Sequence, residues 1–147
     1  MNWLLDTNVV SEALRPRPNL SVLKWIAEQP ADLLAISDIT FAEMRYGALT
    51  ALDVRRRQIV ENWLAKIADM FQGRMLPLDV DILTEWLTLA RQMRARGKPQ
   101  SGPDLLIAAT ARVHNLTVVT RNVQDFADTG VIVYDPWHDQ TQRMDPP

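Results

Sequence analysis

Short apolar runs alternate along the chain with longer stretches in which apolar residues recur every three or four positions. The runs are Trp3-Leu4-Leu5, Leu33-Leu34-Ala35-Ile36, Met75-Leu76-Pro77-Leu78, Leu116-Thr117-Val118-Val119 and Val131-Ile132-Val133-Tyr134. A run that stays apolar without alternating suits a strand buried on both faces of a parallel sheet. Between the runs, helical spacing places Val22, Trp25 and Ile26 on one side of a helix over Ser21–Glu28. After Asp53 it lines up Ile59, Trp63, Leu64, Ile67 and Met70. A further helix from Val80 to Arg96 carries Leu83, Leu87, Ala90 and Met93. A small-residue helix from Asp104 to Val113 is apolar nearly all round, which predicts burial on more than one side.

Local signals set the boundaries. Arg15-Pro16-Arg17-Pro18 ends a short helical piece after the first run, because each proline disfavours helix in the residue before it. Thr40 with Glu43 three positions on matches a capping box. Gly73 closes the helix that begins at Asp53, Asp79 or Asp81 caps the next one, and Pro103 takes a preferred first helical position. Gly47 marks either a close backbone approach or a weak spot near a helix end. Strand and helix thus alternate, which predicts an α/β fold with helices on both faces of a mostly parallel sheet of about four to five strands.

Composition narrows the chemistry. The 147 residues are 47% hydrophobic, enough for one domain with a real core, placed at 1–139 with 140–147 as a flexible C-terminal tail. The sequence has no apolar run of membrane-spanning length and no secretory signal, so the expected location is cytoplasmic, away from membranes. Zero cysteines exclude disulfides and thiolate metal sites, and two histidines are too few for a histidine-built zinc site. Any metal must be held by oxygen, which favours magnesium or manganese. A net charge of −2 gives no global pull toward nucleic acid, so a polyanion needs a local basic patch or a metal.

Four carboxylates fall where strands end or helices begin. Asp6 leaves the first strand, Glu43 lies one turn into the helix after the second, and Asp104 opens the small-residue helix. Asp125 follows the fourth strand within Thr120-Arg121-Asn122-Val123-Gln124-Asp125-Phe126. Right-handed crossovers bring outgoing strand ends to one edge, where open α/β folds bind ligands. Each acid also has a structural account: Asp6 or Thr7 as a cap, Glu43 in its capping box, Asp125 as an exposed turn residue, the account preferred there. Asp104 favours its helix N-terminus by ~0.3–1 kcal/mol with or without chemistry. None of these accounts predicts several carboxylates on one rim. Two at ~4 Å repel by about 4 kcal/mol at an effective dielectric of 20, so such a group calls for a cation or shared protons.

The motifs Leu4-Leu5-Asp6-Thr7-Asn8, Ile39-Thr40-Phe41-Ala42-Glu43-Met44-Arg45-Tyr46-Gly47, Pro103-Asp104 through Ala111, and Val119-Thr120-Arg121-Asn122 resemble those of the PIN-domain nucleases. Within these, the chain is most similar to the VapC toxin family of type II toxin–antitoxin systems. Its ending Tyr134-Asp135-Pro136-Trp137-His138-Asp139 resembles the FitB-like branch. The resemblance implies a PIN-like three-layer α/β/α sandwich and a Mg²⁺- or Mn²⁺-dependent endoribonuclease toxin neutralised by a cognate antitoxin. It places the family's acids on Asp6, Glu43 and Asp104 as catalytic residues and metal ligands, and its polar strand-end residue on Thr120. The fourth acid of the family falls on Asn122. There an amide oxygen could contribute, Asp125 could substitute, or three acids could suffice. Asn8 is placed as a polar support for Asp6 at the substrate.

An acidic site acting on RNA needs a basic rim, for which the candidates are Arg91, Arg94, Arg96 and Lys98, with Arg15, Arg17, Arg45 and Arg121; Arg96, Lys98 and Arg121 are set beside Asn8 as substrate-binding residues. Arg55-Arg56-Arg57 spreads around its helix axis and reads as a solvated face. Trp25, Trp63 and Trp86 read as packing or interface residues. The helices around 21–28 and 53–70 carry enough apolar surface for a homodimer contact and a groove that takes an antitoxin helix. The resemblance adds an antitoxin with a ribbon-helix-helix or similar DNA-binding N-terminus, a larger toxin–antitoxin assembly, and DNA reached only through the antitoxin. Haloacid dehalogenase-like phosphatases need a second aspartate where this chain has Asn8, and receiver domains need an acidic pair absent here. The other reading is a catalytically weakened PIN-like module working in complex with antitoxin and DNA. Asn122 favours it; Asp6, Glu43 and Asp104 oppose it.

Overall fold

A computed structural model describes residues 1–100 and 102–146. Its strands are β1 (Trp3–Leu5), β2 (Leu34–Ser37), β3 (Met75–Leu76), β4 (Thr117–Val119), β5 (Ile132–Asp135) and β6 (Gln140–Arg143). Its α-helices are α1 (Thr7–Val10), α2 (Leu20–Glu28), α3 (Asp38–Thr50), α4 (Val54–Met70), α5 (Val80–Ala95) and α6 (Pro103–His114). The strands form one sheet in the order β3-β2-β1-β4-β5-β6, parallel except for β6.

Successive strand residues feed opposite layers, so the parallel strands are apolar on both faces, as the unbroken runs require. Leu4, Ala35, Val118 and Val133 pack with Ile82, Leu89 and Met93 of α5 and with Leu105, Ile107 and Ala109 of α6. Leu5, Ile36, Val119 and Tyr134 pack with Val22 of α2, Met44 of α3, and Leu64 and Ile67 of α4. The result is a three-layer sandwich. Trp25 and Trp63 pack partly buried on the second layer and Trp86 on the first. Among the described residues, no helix is long and apolar enough to cross a membrane.

From β1 the chain steps outward to β2 and then β3, whereas β4 and β5 step the other way. The connections after β1 and β4 therefore diverge and leave a crevice at the carboxyl ends of those two strands.

Three expectations need correction. The sheet has six strands, and the flexible tail expected from residue 140 begins with β6, which pairs antiparallel with β5. Met144 beyond it is buried, and its N–H donates to Val131 at 2.8 Å. β6 is exposed and polar on both faces, so it gives no apolar signal; edge strands commonly have this character. Secondly, α3 begins at Asp38 with its cap three residues before Thr40: Ser37 Oγ accepts from the Thr40 N–H at 3.3 Å. Glu43 is thereby moved into the second turn and released from capping. Thirdly, a Cβ built at Gly47 meets nothing within 4 Å, which removes the close-approach reading. The caps at Asp53 and Asp79 and the first-turn Pro103 stand where the sequence places them.

Candidate active site

Asp6 leaves β1 at the crevice, 4% exposed and held on both oxygens. Its Oδ1 accepts from the Thr7 N–H at 2.7 Å. Its Oδ2 accepts from Thr120 Oγ1 at 2.6 Å and from Asn8 Nδ2 at 2.7 Å. Asp6 therefore caps α1 with one oxygen and joins the end of β4 with the other. Burial pushes its carboxyl above the usual range. The Thr120 and Thr7 hydrogen bonds offset part of that, and the charge of Glu43 adds to it.

Thr120 is fully buried at the end of β4. While its hydroxyl donates to Asp6, it accepts from Asn8 Nδ2 at 2.9 Å and from the Asn122 N–H at 3.0 Å. Asn8 Oδ1 accepts the Arg121 N–H at 3.2 Å, so a single amide braces both loops at the switch point. Glu43, partly buried on α3, accepts from Thr7 Oγ1 at 2.5 Å through Oε2, which ties α3 to the start of α1. The α3 register found above makes that contact available.

Asp104, in the first turn of α6, differs from Asp6. Among the described residues its carboxylate makes no hydrogen bond and no ion pair. Its pKa is pushed up to about 6, first by burial and then by the charges of Asp6 and Asp125. Asp125 lies in a one-turn 3-10 helix, Val123–Phe126, and is partly buried rather than an exposed turn residue. Asn122 is exposed, and only its backbone N–H bonds within this network. The structure thus brings Asp6, Glu43, Thr120 and Asn8 together by direct or bridged hydrogen bonds, and Asp104 and Asp125 by their fields.

The proposed basic rim is less free than the sequence suggests. Lys98 Nζ pairs with Asp128 at 2.6 Å and Arg96 Nη1 at 3.4 Å, and the Lys98 contact holds the Asp128 carboxyl below its usual range. The pairs pin the segment after α5 to the segment before β5. Arg121 is exposed, with its guanidinium 5.5 Å from the Trp137 ring centroid.

Sequence reasoning missed Asp135. In register, Leu5, Val119 and Tyr134 form one row across β1, β4 and β5, so Asp6, Thr120 and Asp135 stand in the next row. Buried Asp135 accepts from the Trp137 N–H at 2.8 Å and sits 2.7 Å from His138 Nδ1, fixing that turn at the rim. The signal was present: a carboxylate directly after an apolar run, the same pattern that singled out Asp6.

The donor set suits a hard dication. All candidate ligands are oxygens, and burial together with the neighbouring carboxylate charges raises the pKa of both Asp6 and Asp104. Among the described residues, no three acidic or imidazole side chains are gathered tightly enough to hold an ion by themselves. Mg²⁺ commonly takes one or two carboxylates and keeps several waters, a demand that Asp6 and Asp104 can meet.

Comparison with known proteins places this geometry. The PIN domain family model matches residues 3–132. The chain is 38% identical over 137 residues to the protein named Toxin FitB of Neisseria gonorrhoeae, covering 92% of this chain and 99% of that one. It is 37% identical over 135 residues to the VapC ribonuclease Y4jK of Sinorhizobium fredii, covering 91% and 96%. A solved structure of FitAB bound to an IR36 DNA fragment superposes with a TM-score of 0.85 at 36% identity, covering 94% of this chain and 97% of that one. With that family model matching residues 3–132, most of its length, the chain belongs to the PIN-domain family.

Proposed function

We propose that the protein is the toxin of a type II toxin–antitoxin pair and an endoribonuclease dependent on Mg²⁺ or Mn²⁺. The observation that carries this reading is Asp104, a carboxylate without a hydrogen bond among the described residues, raised to about 6 and set against Asp6. A side chain placed at such electrostatic cost is explained by a cation it awaits. Asp6 and Asp104 would hold the ion, with Glu43 or Asp125 adding an oxygen. When bound, the ion polarises the phosphodiester, acidifies a water and neutralises charge on the departing oxygen.

The chain's own residues do the rest. Thr120 and Asn8 fix Asp6 Oδ2, so that carboxylate does not reorganise as charge develops. Thr7 orients Glu43 through Oε2 and leaves Oε1 to accept the proton of the attacking water. The water oxygen bonds to phosphorus as one ester bond breaks, and the departing oxygen takes a proton from solvent. Asn122 and Arg121 stand exposed beside Thr120, where the substrate phosphates pass.

The names of the relatives support the same reading, since one is a toxin and another a ribonuclease. We further propose a cytoplasmic protein whose antitoxin carries the DNA-binding part and seats a helix in an apolar cavity of about 330 Å³. That cavity is lined by Leu23, Ile26, Trp63, Ile67, Met70 and Phe71, among others. The deciding experiment incubates the purified chain with single-stranded RNA and Mn²⁺. Cleavage that stops in EDTA and in Asp104→Asn is expected. Cleavage retained by that variant overturns the assignment, and none by the wild type favours the weakened binding module.

A further inference from the structure

Beside the crevice, on the side of α1, lies a second concavity of about 460 Å³ lined by Glu12, Arg15, Pro16, Arg17, Asn19 and Trp137. It adjoins the acids through a short path. Asn8 bonds Asp6 and accepts the Arg121 N–H, and the Arg121 guanidinium lies against the Trp137 indole that lines the cavity. Asp135 holds Trp137 in place through its N–H.

The unusual member is Glu12. Its side chain is 3% exposed, yet Oε2 has no hydrogen-bond partner. Oε1 accepts from the Asn19 N–H at 2.8 Å, whereas Oε2 has only the Arg15 guanidinium, 3.5 Å away on a side chain half open to solvent. A buried acceptor left without a hydrogen bond is costly, and closing the Arg15–Asn19 turn uses only Oε1. Oε2 is therefore a buried acceptor without a hydrogen bond, on a side chain that lines the cavity together with Trp137, Arg15 and Arg17.

We infer that this cavity is a nucleotide subsite that takes an unpaired guanine next to the scissile phosphate. The inference rests on the ribonuclease reading above. Single-stranded RNA is read by stacking splayed bases on aromatic rings and bonding their Watson–Crick edges. A carboxylate oxygen accepts, and Oε2, with no hydrogen bond on either lone pair, selects the edge that offers two adjacent donors. Guanine offers N1–H and the N2 amino group side by side. Adenine and cytosine each set a ring acceptor beside their amino group, and uracil flanks its N–H with two carbonyls. Trp137 supplies the stacking surface. As the base enters, Arg15 leaves Glu12 for the phosphates, where Arg17 and Arg121 join it.

The test measures anisotropy of fluorescein-labelled pentaribonucleotides, UUXUU with X as G, A or inosine, in EDTA so that the RNA stays intact. The guanosine oligonucleotide should bind about tenfold more tightly than the adenosine one, with inosine between them because it lacks only the amino group. Glu12→Gln should bring the G-to-A ratio within about twofold, and Trp137→Ala should weaken all three by about tenfold. Equal binding of G and A by the wild type overturns the subsite, and that comparison stands even if Glu12→Gln fails to fold. Guanine preference without Mn²⁺-dependent cleavage keeps the subsite and removes the nuclease reading. Cleavage without guanine preference does the reverse.

Discussion

Asp6 and Asp104 face one crevice with opposite constructions. Asp6 is buried at a strand end under three hydrogen bonds, two from the start of α1 and one from the residue that follows β4. Asp104 opens a helix with burial and like charge around it and, among the described residues, nothing bonded to it. The difference separates two tasks. Asp6 is part of the frame: taking it away orphans Thr120 and Asn8. Asp104 is held in reserve, so removing it relieves repulsion and costs only function. Two acids in one site can thus have opposite signs for stability and the same sign for activity.

The largest test of that contrast is cleavage. Asp6→Ala and Asp104→Asn should each lower Mn²⁺-dependent RNA cleavage by about 10²–10³-fold or more, measured on a labelled single strand. Next in size is the cation itself. At a hundred times its Kd, Mn²⁺ should stabilise the wild type by about 2.7 kcal/mol in thermal melts, and Asp104→Asn should lose most of that gain.

Without metal the two variants should diverge. Asp6→Ala should lose about 1–3 kcal/mol through its unpaired partners. Asp104→Asn at pH 7 should melt at or slightly above the wild-type temperature, and a large drop there breaks the comparison. The pH dependence follows with its sign. Asp104 has its pKa raised from 3.8 to about 6 in the folded state, so the folded chain holds the proton more tightly than the unfolded one. Its contribution to stability therefore falls as pH rises from about 4 to 6 and is level above that. Asp6 is shifted in the same direction. The wild-type-minus-Asp104→Asn difference in Tm isolates the Asp104 part, and no slope in that window removes it. The smallest effect is at the rim: Lys98→Ala, which breaks a solvent-screened pair with Asp128, should lower the Tm less than any other destabilising change in this series.

Much of the frame was legible because it is local. Leu4-Leu5-Asp6, the Asp53 and Asp79 caps and Pro103 announce themselves within a few residues. The start of α3 was misplaced because Ser37 and Thr40 are both good caps, and the choice is made by where β2 ends in the sheet. β6 was invisible because its stabilisation is backbone pairing to β5, with no apolar residue to mark it. The bonds that define the site join Thr7 to Glu43, Thr120 to Asp6 and Lys98 to Asp128. Those partners are far apart in sequence and carry no spacing rule. Family motifs pointed to the acids, but they did not reveal that Arg96 and Lys98 are already paired or that Glu12 has an idle oxygen.

The two margins of the sheet have a further consequence. On one side stands β3, two residues long; on the other, β6 is polar throughout and carries Arg143. A short margin offers few backbone groups to a foreign strand, and a charged polar one resists adding another layer. The molecule is thereby poorly suited to growth by strand addition, even at the concentrations where it must meet another chain. That leaves the helical faces, which carry the exposed apolar residues Leu20, Leu49 and Leu87, as the surfaces suited to association.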